Sequence, residues 1–549
     1  METLSLKSFP KSLLAGAAAL PVAALTAAAL SVATPALADS AVTAPGDTTS
    51  GTYADYMKTV YDRAGQPEIF QIPLTAFDKD FTLTPMAAQS WETSEDGLTW
   101  TFHLDPDLVW SNGTPLTAED YVFALTRAAT SGYDFAWYWS FAAGIKNWTP
   151  VVNGEKDVTQ LGLKALDAHT IQITTEAPKP YLPSVVSNWY PVPKAQWDQY
   201  GDDWATSVDT LITSGPFIVT DWEKSNNTMT LEKNPEYHGP WEAQIGTLHI
   251  DSNLASAEVG MPAYLAGETD VTSLNAGQIP FAEARFADQI RKNAVFAISY
   301  LSFDLNAAPF DNADVRRALW YDINREEMTQ TVLKNLAIPG DSLLAPGYPG
   351  YNPEVAALAE YNPEKAREYL AKAGYPEGKG FPEVEVWYRD QGGYNGAITA
   401  PMLQYLQAQF KKDLGITMNI RVLPMNDWMD ALAKKKNNLF LAPYEYDYLD
   451  PSNFYGIFYN GGRHDYHLDA YDALVAKADA ESDWDTRVKL YAEAEQVLID
   501  QAAIVPLVHP ITVSLISDKI TGEGAQPNAQ GFTPLNRLGY YFYTHIRKQ

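Results

Sequence analysis

Hydrophobic and polar residues alternate along several short segments in the first half of the chain. Residues 99–104 (TWTFHL) alternate with the period of two that is typical of a half-buried strand. Residues 117–120 (TAED) form a capping-box pattern, which predicts a helix over residues 121–129. Residues 165–175 predict a turn followed by a strand, and residues 214–234 predict two strands of a meander. The first half is therefore predicted to mix strands with helices.

In the second half, apolar residues more often recur with the spacing of amphipathic helices. Helices are predicted over Asn312–Leu336, Pro363–Ala373, Ala400–Lys412 and Asp483–Asp500. Strand-like segments lie between them, namely VEVWYR at residues 384–389 and MNIRVLP at residues 418–424. Alternating strands and helices predict an α/β fold.

The most unusual short stretch follows an apolar, strand-like run at residues 439–442. It reads YEYDYLDPSNF (residues 444–454), and its Asp-Pro pair predicts a turn. Asp447 is therefore placed just past a strand end, among the rings of Tyr444, Tyr446 and Tyr448. Two interpretations are open from these residues alone. The segment is either an ordinary surface strand or a site where a partly desolvated acid binds a cation.

The N-terminus has the pattern of a cleaved signal peptide. Lys7 and Lys11 precede a long Ala/Leu run, and Ala36 and Ala38 match the small-residue rule for signal peptidase, which makes Asp39 the first mature residue. A membrane anchor is the alternative, because the run is long enough to span a bilayer. The chain has no cysteine, so neither a lipid-attachment cysteine nor a disulfide is possible. The Ser/Thr/Gly-rich residues 39–52 are expected to be mobile.

Length and charge narrow the class of protein. A chain of 549 residues is expected to form two to four domains. Its formal net charge of −29 argues against a nucleic-acid partner, which needs a basic surface, and against adsorption to anionic lipid.

Signals for enzymatic chemistry are weak. The chain has no cysteine nucleophile, no P-loop and no G-x-S-x-G motif, and the block at residues 340–343 (GDSL) lacks the Asp-x-x-His that a lipase of that type would need. His464 and His467 flank Asp465, but further ligands at metal-site spacing are missing. We therefore expect no cofactor, no metal and no enzyme, with a secreted hydrolase as the disfavoured alternative.

Aromatic residues are abundant, with 15 Trp and 32 Tyr. The densest cluster spans residues 133–141 and includes Trp137 and Tyr138. Rings offer apolar contact area together with a polar tip, which suits a binding cleft. Successive residues cannot all face one core, so we expect a ring of residues 137–139 at a surface or cleft.

Several blocks together resemble the bacterial extracellular solute-binding proteins of family 5, the dipeptide- and oligopeptide-binding proteins of ABC importers. The resemblance extends from Phe81 to the C-terminus, and six blocks in the same order are much more specific than any one of them. The blocks are residues 90–127 (SWETSEDGLTWTFHLDPDLVWSNGTPLTAEDYVFALTR), 214–222 together with 231–241 (SGPFIVTDW, LEKNPEYHGPW), 264–271 (YLAGETDV), 310–328 (FDNADVRRALWYDINREEM), 361–375 (YNPEKAREYLAKAGY) and 492–507 (AEAEQVLIDQAAIVPL).

This resemblance implies a two-lobed periplasmic-binding-protein clam-shell of type II with an extra inserted domain. Lobe I is expected to be discontinuous, domain II to be inserted in it, and lobe III to lie between two hinge crossings near residues 299–303 and 508–512. The expected boundaries are 1–38 for the signal peptide, 39–74, 185–298 and 510–549 for lobe I, 75–184 for domain II, and 299–509 for lobe III.

The resemblance also implies ligand-binding residues. In peptide-binding members, an aspartate in a D-Y-x-[DE]-P-x-[SN]-F block holds the α-ammonium group of the ligand, and Asp447 occupies that position here. Tyr444 and Tyr446 are expected to shield this pair from water. Trp428 matches a cleft tryptophan of the oligopeptide binders, and Tyr138, next to Trp137, matches a tyrosine of domain II.

One departure leaves the ligand class open. Oligopeptide binders carry an arginine for the ligand carboxylate shortly before the acid block, but this chain has residues 440–443 (FLAP) there, and its nearest basic residues are 434–436 (KKK). We expect a periplasmic monomer that closes over an oligopeptide and delivers it to an ABC-transporter permease. An oligosaccharide or an opine-like sugar derivative is the alternative ligand, held by stacking on aromatic rings.

Overall fold

The computed structural model describes residues 40–46, 49–356, 360–389, 393–533 and 539–549. The predicted signal peptide (residues 1–38) lies outside the described residues. Ala41–Ala44 form a strand whose backbone pairs in parallel with Thr247–Ile250, and Val42 and Ala44 are buried. The expectation of a mobile lead was wrong for these four residues, because backbone pairing and apolar burial hold them in a sheet.

Most of the strands are short, and the longest described strand is β18. They are β1 (Ala41–Ala44), β2 (Thr75–Phe77), β3 (Leu83–Pro85), β4 (Ala88–Thr93), β5 (Thr99–Leu104), β6 (Leu163–Asp167), β7 (Thr170–Thr174), β8 (Phe217–Glu223), β9 (Thr228–Lys233), β10 (Thr247–Asp251), β11 (Val271–Leu274), β12 (Ile290–Ala294), β13 (Ala297–Phe303), β14 (Ala337–Pro339), β15 (Val384–Arg389), β16 (Met418–Leu423), β17 (Leu439–Glu445), β18 (Ile504–Ile516), β19 (Ile520–Thr521) and β20 (Arg547–Lys548).

Most of the longer helices lie in the second half. The helices are α1 (Pro67–Phe70), α2 (Ala118–Ala128), α3 (Ala136–Phe141), α4 (Trp148–Val152), α5 (Leu182–Val185), α6 (Lys194–Tyr200), α7 (Ala257–Ala266), α8 (Ile279–Arg285), α9 (Ala313–Asp322), α10 (Arg325–Glu327), α11 (Pro353–Ala356), α12 (Pro363–Lys372), α13 (Gly393–Leu414), α14 (Met425–Ala433), α15 (Pro451–Tyr455), α16 (Asp469–Ala480), α17 (Trp484–Asp500) and α18 (Gly539–Thr544). Within the described ranges, none of the helices combines the length and apolar content that crossing a bilayer requires.

The described strands form three larger sheets and two small two-stranded sheets. One four-stranded sheet has the order β1-β10-β9-β8, another has the order β4-β5-β7-β6, and the third is an eight-stranded sheet built on β11-β18-β13-β17-β15-β16, with β12 and β14 also paired to β18. The two small pairs are β2-β3 and β19-β20. The β4-β7 sheet lies wholly within the segment predicted as domain II, although the domain boundaries themselves stay a prediction.

Most predicted elements are confirmed. The strands at residues 99–104, 384–389 and 418–423 and the meander of β8 and β9 are present, and α2 begins after Thr117, whose backbone N–H donates to Asp120 Oδ2 at 2.9 Å. Helices α12 and α17 match their predicted ranges, and α13 extends beyond its predicted range at both ends. The single helix predicted over residues 312–336 was wrong, because α9 ends at Asp322 and shorter turns follow.

Strand β18 joins two groups of strands into one sheet. Its first half pairs with β13, where Ser302 is opposite Ile504 and Ser299 is opposite Val508. Its second half pairs with β11 and β12. The two predicted hinge crossings therefore lie side by side, and the register between β13 and β18 shifts at Ser299 and Tyr300. An irregularity of this kind locally bends a strand pair.

A buried histidine lies on β18 beside this irregularity. His509 Nδ1 donates to the Ala297 carbonyl at 2.9 Å, and the side chain is fully enclosed. Burial disfavours the charged imidazolium and lowers the pKa of His509 to about 4, although the carbonyl groups of Ala297 and Ser342 oppose this shift. The folded protein therefore holds a neutral imidazole in a pH range where the unfolded chain holds a charged one.

We predict that His509 makes stability depend on pH. Between pH 6.5 and 4 the unfolded chain binds the extra proton, so the free energy of unfolding falls as the pH is lowered, by about 3 kcal/mol across the window. Glutamine cannot bind this proton, so His509→Gln should not lose this stability. As the pH is lowered from 7 to 4, the stability of the variant relative to wild type should therefore rise by about 3 kcal/mol. Urea unfolding at several pH values measures the difference. His103→Gln, at a half-exposed position, is the control and should follow wild type. An equal pH dependence in His509→Gln and wild type would contradict the prediction.

The buried side chains of the described residues form three hydrophobic clusters. The first cluster is built mainly from residues 42–250, the second surrounds α9, α13 and the middle of β18, and the third lies on the other face of β13 and β17. Tyr448 packs into the first cluster, whereas Tyr446 and Leu449 pack into the third. The residues around Asp447 therefore lie where two apolar cores meet.

Candidate ligand-binding site

The segment that carries Asp447 connects a buried strand to a short helix. The apolar residues 439–443 bury β17 between β13 and β15. The chain leaves the sheet after Glu445, and α15 begins at Pro451, where Asp450 accepts a hydrogen bond from Ser452 N–H at 2.9 Å. This arrangement confirms the predicted strand followed by a turn. Asp447 lies in the turn between the two elements.

One oxygen of the Asp447 carboxylate is bound and the other is available. Oδ2 accepts hydrogen bonds from Tyr444 Oη at 2.7 Å and from Asn453 Nδ2 at 3.2 Å. The Asp447 N–H donates to Asn453 Oδ1 at 2.8 Å, and its carbonyl accepts from Asn188 Nδ2 at 2.7 Å. Oδ1 receives no hydrogen bond from any residue that the structure describes. The carboxylate is therefore held in place with one acceptor oxygen still unused.

Tyr448 joins this segment to an aromatic cluster from the first half of the chain. Its ring stacks on Tyr181 with a centroid distance of 5.9 Å and an interplanar angle of 10°, and Tyr138 approaches it edge-on at 5.9 Å. Tyr138 is buried, donates to the Val185 carbonyl at 2.7 Å and accepts from Asn188 at 2.9 Å. Asn188 therefore contacts both Tyr138 and Asp447.

A cavity opens next to Asp447, with room of about 180 Å³ for the centres of water-sized molecules. Its wall comes from well-separated parts of the chain and is mostly aromatic with a few polar groups. The lining residues include Tyr56, Tyr61, Phe77, Phe135, Asn188, Tyr190, Trp241, Tyr446, Asp447, Tyr448 and Tyr541. Small-molecule sites commonly combine an apolar aromatic wall with a few fixed polar groups.

Charges of both signs act on this cavity. Partial desolvation raises the pKa of the Tyr61 phenol, although the residue is 71% exposed. The charges of Asp447 and Asp134 raise this pKa further, whereas Arg389 and Arg463 lower it. Burial together with the charge of Asp447 also raises the pKa of Tyr444 well above its usual value. Tyr444 therefore stays protonated and donates to Asp447. The phenol of Tyr61 therefore interacts electrostatically with the Asp447 carboxylate and with the guanidinium groups of Arg389 and Arg463.

The two guanidinium groups lie against Trp428. Arg389 is 5.3 Å and Arg463 is 5.0 Å from the centroid of the Trp428 ring, and Arg463 is also 5.6 Å from the ring of Tyr444. Arg463 Nη1 donates to the Pro443 carbonyl at 3.1 Å. Cation–π contacts of this kind fix the position of an arginine without removing its charge.

Comparisons with known proteins add to this geometry. Residues 82–466 match the profile of the family described as bacterial extracellular solute-binding proteins, family 5 Middle. The chain belongs to this family. The cavity next to Asp447, with its wall of aromatic and acidic groups, is therefore a candidate solute-binding site. The family consists of binding proteins, not of enzymes. The hydrolase alternative is not supported.

Individual relatives of this family 5 protein cover most of its length. It is 29% identical over 466 residues to the probable deoxycholate-binding periplasmic protein of Escherichia coli K12, covering 82% of this chain and 84% of the relative. It is 28% identical over 462 residues to the periplasmic oligopeptide-binding protein of Salmonella typhimurium LT2, covering 80% and 81%. The crystal structure of a periplasmic oligopeptide-binding protein from Borrelia burgdorferi is similar with a TM-score of 0.72 at 25% identity, covering 93% and 100%. The fold is therefore the two-lobed clam-shell.

The predicted site residues of this family 5 protein have different surroundings. Asp447 and Tyr446 line the cavity, and Tyr444 donates a hydrogen bond to Asp447. Tyr138 and Trp428 are buried. Tyr138 packs against Tyr448 of the cavity wall, and Trp428 packs against Arg389 and Arg463. Trp137 is 43% exposed and packs edge-on against Phe135 at 5.0 Å.

Sequence reasoning missed the arginines and the asparagine. Asn188, Arg389 and Arg463 are far apart in the sequence and belong to no motif recognised there, so only the folded chain brings them near Asp447. Lys434 and Lys436, the nearest cations in sequence, instead form ion pairs with Asp430. His464 is buried and contacts Tyr300 Oη at 2.5 Å, whereas His467 is exposed. In the described part of the chain, no three His, Cys, Asp or Glu side chains are placed to hold a metal ion.

Proposed function

We propose that this chain is the extracytoplasmic binding component of an ABC importer and that its ligands are short peptides with a free amino terminus. The observation that carries the proposal is the unused Oδ1 of Asp447 on an aromatic cavity wall. A half-buried carboxylate of this kind gains most from a cationic partner, so the site selects ligands by charge. The relatives whose names include oligopeptide binding support the same ligand class.

The surrounding aromatic residues have supporting roles. Tyr444 and Asn453 orient the carboxylate, and Tyr446 and Tyr448 exclude water from the ammonium–carboxylate pair. Removing water strengthens the attraction between the two charges. Tyr138 acts indirectly, because it accepts the hydrogen bond that orients Asn188.

Lobe closure is the proposed mechanism, with lobe I at residues 39–74, 185–298 and 510–549, domain II at 75–184 and lobe III at 299–509. Each of these parts contributes to the cavity wall, as Tyr190, Phe135 and Asp447 illustrate. A ligand that contacts several parts binds the closed form more tightly than the open form and shifts the population towards it. The closed monomer then delivers its ligand to the permease, without a cofactor or a nucleic-acid partner.

Export is proposed to use the signal peptide at residues 1–38, with cleavage before Asp39. The relatives named as periplasmic support this location. The absence of cysteine excludes thioether lipid attachment after cleavage.

Arg463 is the proposed partner for an acidic group of the ligand. Its guanidinium lies beside Tyr444, which bonds to Asp447, and its charge reaches Tyr61 on the cavity wall. We predict that Arg463→Gln weakens binding of a tripeptide by about tenfold, as expected for one lost charge-assisted hydrogen bond. Binding of the same tripeptide as its C-terminal amide should change little.

Calorimetry on wild type, Arg463→Gln and the control Lys434→Gln measures this effect. Lys434 is a solvent-exposed cation paired with Asp430, so its removal should leave both affinities unchanged. Equal losses for the acid and the amide would contradict the role of Arg463 in binding the carboxylate.

Thermal unfolding of the purified protein tests the proposed function. A ligand at 100 times its Kd adds about 2.7 kcal/mol to the stability of the folded form. Tripeptides should raise the Tm, and N-acetylated tripeptides, oligosaccharides and deoxycholate should not. A shift with oligosaccharides alone would replace the peptide proposal by a stacking site for sugars. A shift with deoxycholate alone would assign the cavity to an amphipathic anion.

A further inference from the structure

Buried oxygen atoms without donors occur near the ends of α9 and α13, away from the cleft residues. They are both carboxylate oxygens of Asp322, Oδ2 of Asp413 and Oε1 of Gln409, none of which has a hydrogen-bond partner in the described chain. Asp322 is 0% exposed and Gln409 is 7% exposed. Folded proteins rarely leave buried acceptors unpaired, so this group requires a ligand, a proton or water.

These side chains act on one another. Gln409 and Asp413 are one turn apart on α13 and therefore share a face of that helix. The charge of Asp413 acts on Asp322, and both carboxylates act on the phenol of Tyr361, which also interacts with the Gln409 side chain. Burial and Asp413 raise the pKa of Asp322 to about 8. The three side chains thus form one cluster of oxygen acceptors in which burial and the charge of Asp413 disfavour the ionised form of Asp322.

The cations near the cluster leave Asp322 without an ion pair in the described chain. Arg367 pairs with Glu364 at 3.8 Å, and Lys412 Nζ is 3.5 Å from Asp413 Oδ1, with both basic side chains largely in solvent. Neither forms an ion pair with Asp322 in the described chain. Helix α9 ends at Asp322 and α13 ends at Leu414. The negative ends of two helix dipoles therefore add to the attraction for a cation.

We propose that Asp322, Asp413 and Gln409 form a binding site for Ca²⁺. Carboxylate and amide oxygens are the ligands that this hard cation prefers. The two carboxylates and the amide oxygen supply part of the roughly six to eight oxygens that Ca²⁺ takes, and backbone carbonyls or water complete the shell. The bound ion connects the end of α9 to α13 and lies apart from the proposed peptide site.

Calcium titration of the full-length purified protein tests the site. After treatment with EDTA, 2 mM CaCl₂ should raise the Tm by at least about 3 °C relative to NaCl of equal ionic strength. Calorimetry should give one strong site per chain. Asp322→Asn and Asp413→Asn should each lower the affinity at least tenfold, while Glu364→Gln, which removes a nearby exposed charge, should leave it unchanged.

Two results would overturn the site. No Tm shift with CaCl₂ would mean that the two carboxylates share a proton instead of a metal ion. An equal shift in wild type, Asp322→Asn and Asp413→Asn would mean diffuse binding to the acidic surface of the chain. The Asp413 side chain is 13% exposed, whereas Asp322 is fully buried, so the Asp413 variant gives a readout even if Asp322→Asn folds poorly.

Discussion

Replacing Asp447 by asparagine is expected to lower the affinity for a free-amine tripeptide by at least about 30-fold, since removing one partner of a desolvated charge pair costs about 2 kcal/mol or more. Asparagine has nearly the same shape as aspartate, and its side-chain oxygen can still accept the hydrogen bonds from Tyr444 and Asn453. The fold should therefore be retained, and the loss should come from the missing negative charge at Oδ1.

Calorimetry with the tripeptide measures the loss, and the Tm of the ligand-free variant reports on folding. The matched control is Asp469→Asn, which removes an exposed carboxylate outside the cavity wall and should bind like wild type. Undiminished binding by Asp447→Asn, with the control also unchanged, would contradict the proposed role of Asp447 in holding the ligand amine.

Replacing Arg487 by methionine is expected to destabilise the protein by about 3–5 kcal/mol, because it leaves a buried carboxylate without its partner. Arg487 Nη1 donates to Asp450 Oδ2 at 2.9 Å, Nη2 contacts Oδ1, and both side chains are only 4% exposed. The guanidinium also lies 4.8 Å from the ring of Tyr181, which stacks on Tyr448. This ion pair therefore supports the segment that carries Asp447.

Urea unfolding of three variants checks this effect. The double variant Arg487→Met with Asp450→Asn should recover at least half of the lost stability, because the amide removes the uncompensated charge and can still cap α15. Arg367→Met removes an exposed ion pair and should change stability by less than about 1 kcal/mol. A loss of the same small size in Arg487→Met would show that the buried pair is not important for stability.

The elements around Asp447 could be predicted because they depend on local sequence. The apolar residues of β17 and the Asp-Pro pair at the start of α15 determine where the strand and the helix lie. The long helix expected over residues 312–336 fails for an equally local reason. Asn324 accepts a hydrogen bond from Glu327 N–H at 3.0 Å, which starts a new turn after α9 has ended. Apolar spacing alone does not reveal such a capping residue.

The surroundings of Asp447 could not be predicted from local patterns. Asn188 and Asp447 are 259 residues apart in sequence, yet the asparagine amide bonds to the aspartate carbonyl. Arg389 lies at the end of β15 and Arg463 in a loop after α15, and they meet only because both pack on Trp428. The resemblance to the family indicated the acid but not these partners, since a family motif carries only the residues that its members share.

The most direct measurement is a calorimetric titration of the wild-type protein with trialanine and with N-acetyl-trialanine. The two ligands differ at the amino group, where acetylation removes the positive charge. The account predicts that trialanine binds at least about 30-fold more tightly, with one site per chain, because only its ammonium group can pair with Asp447. Equal affinities would contradict the claim that Asp447 selects ligands through a free amino terminus.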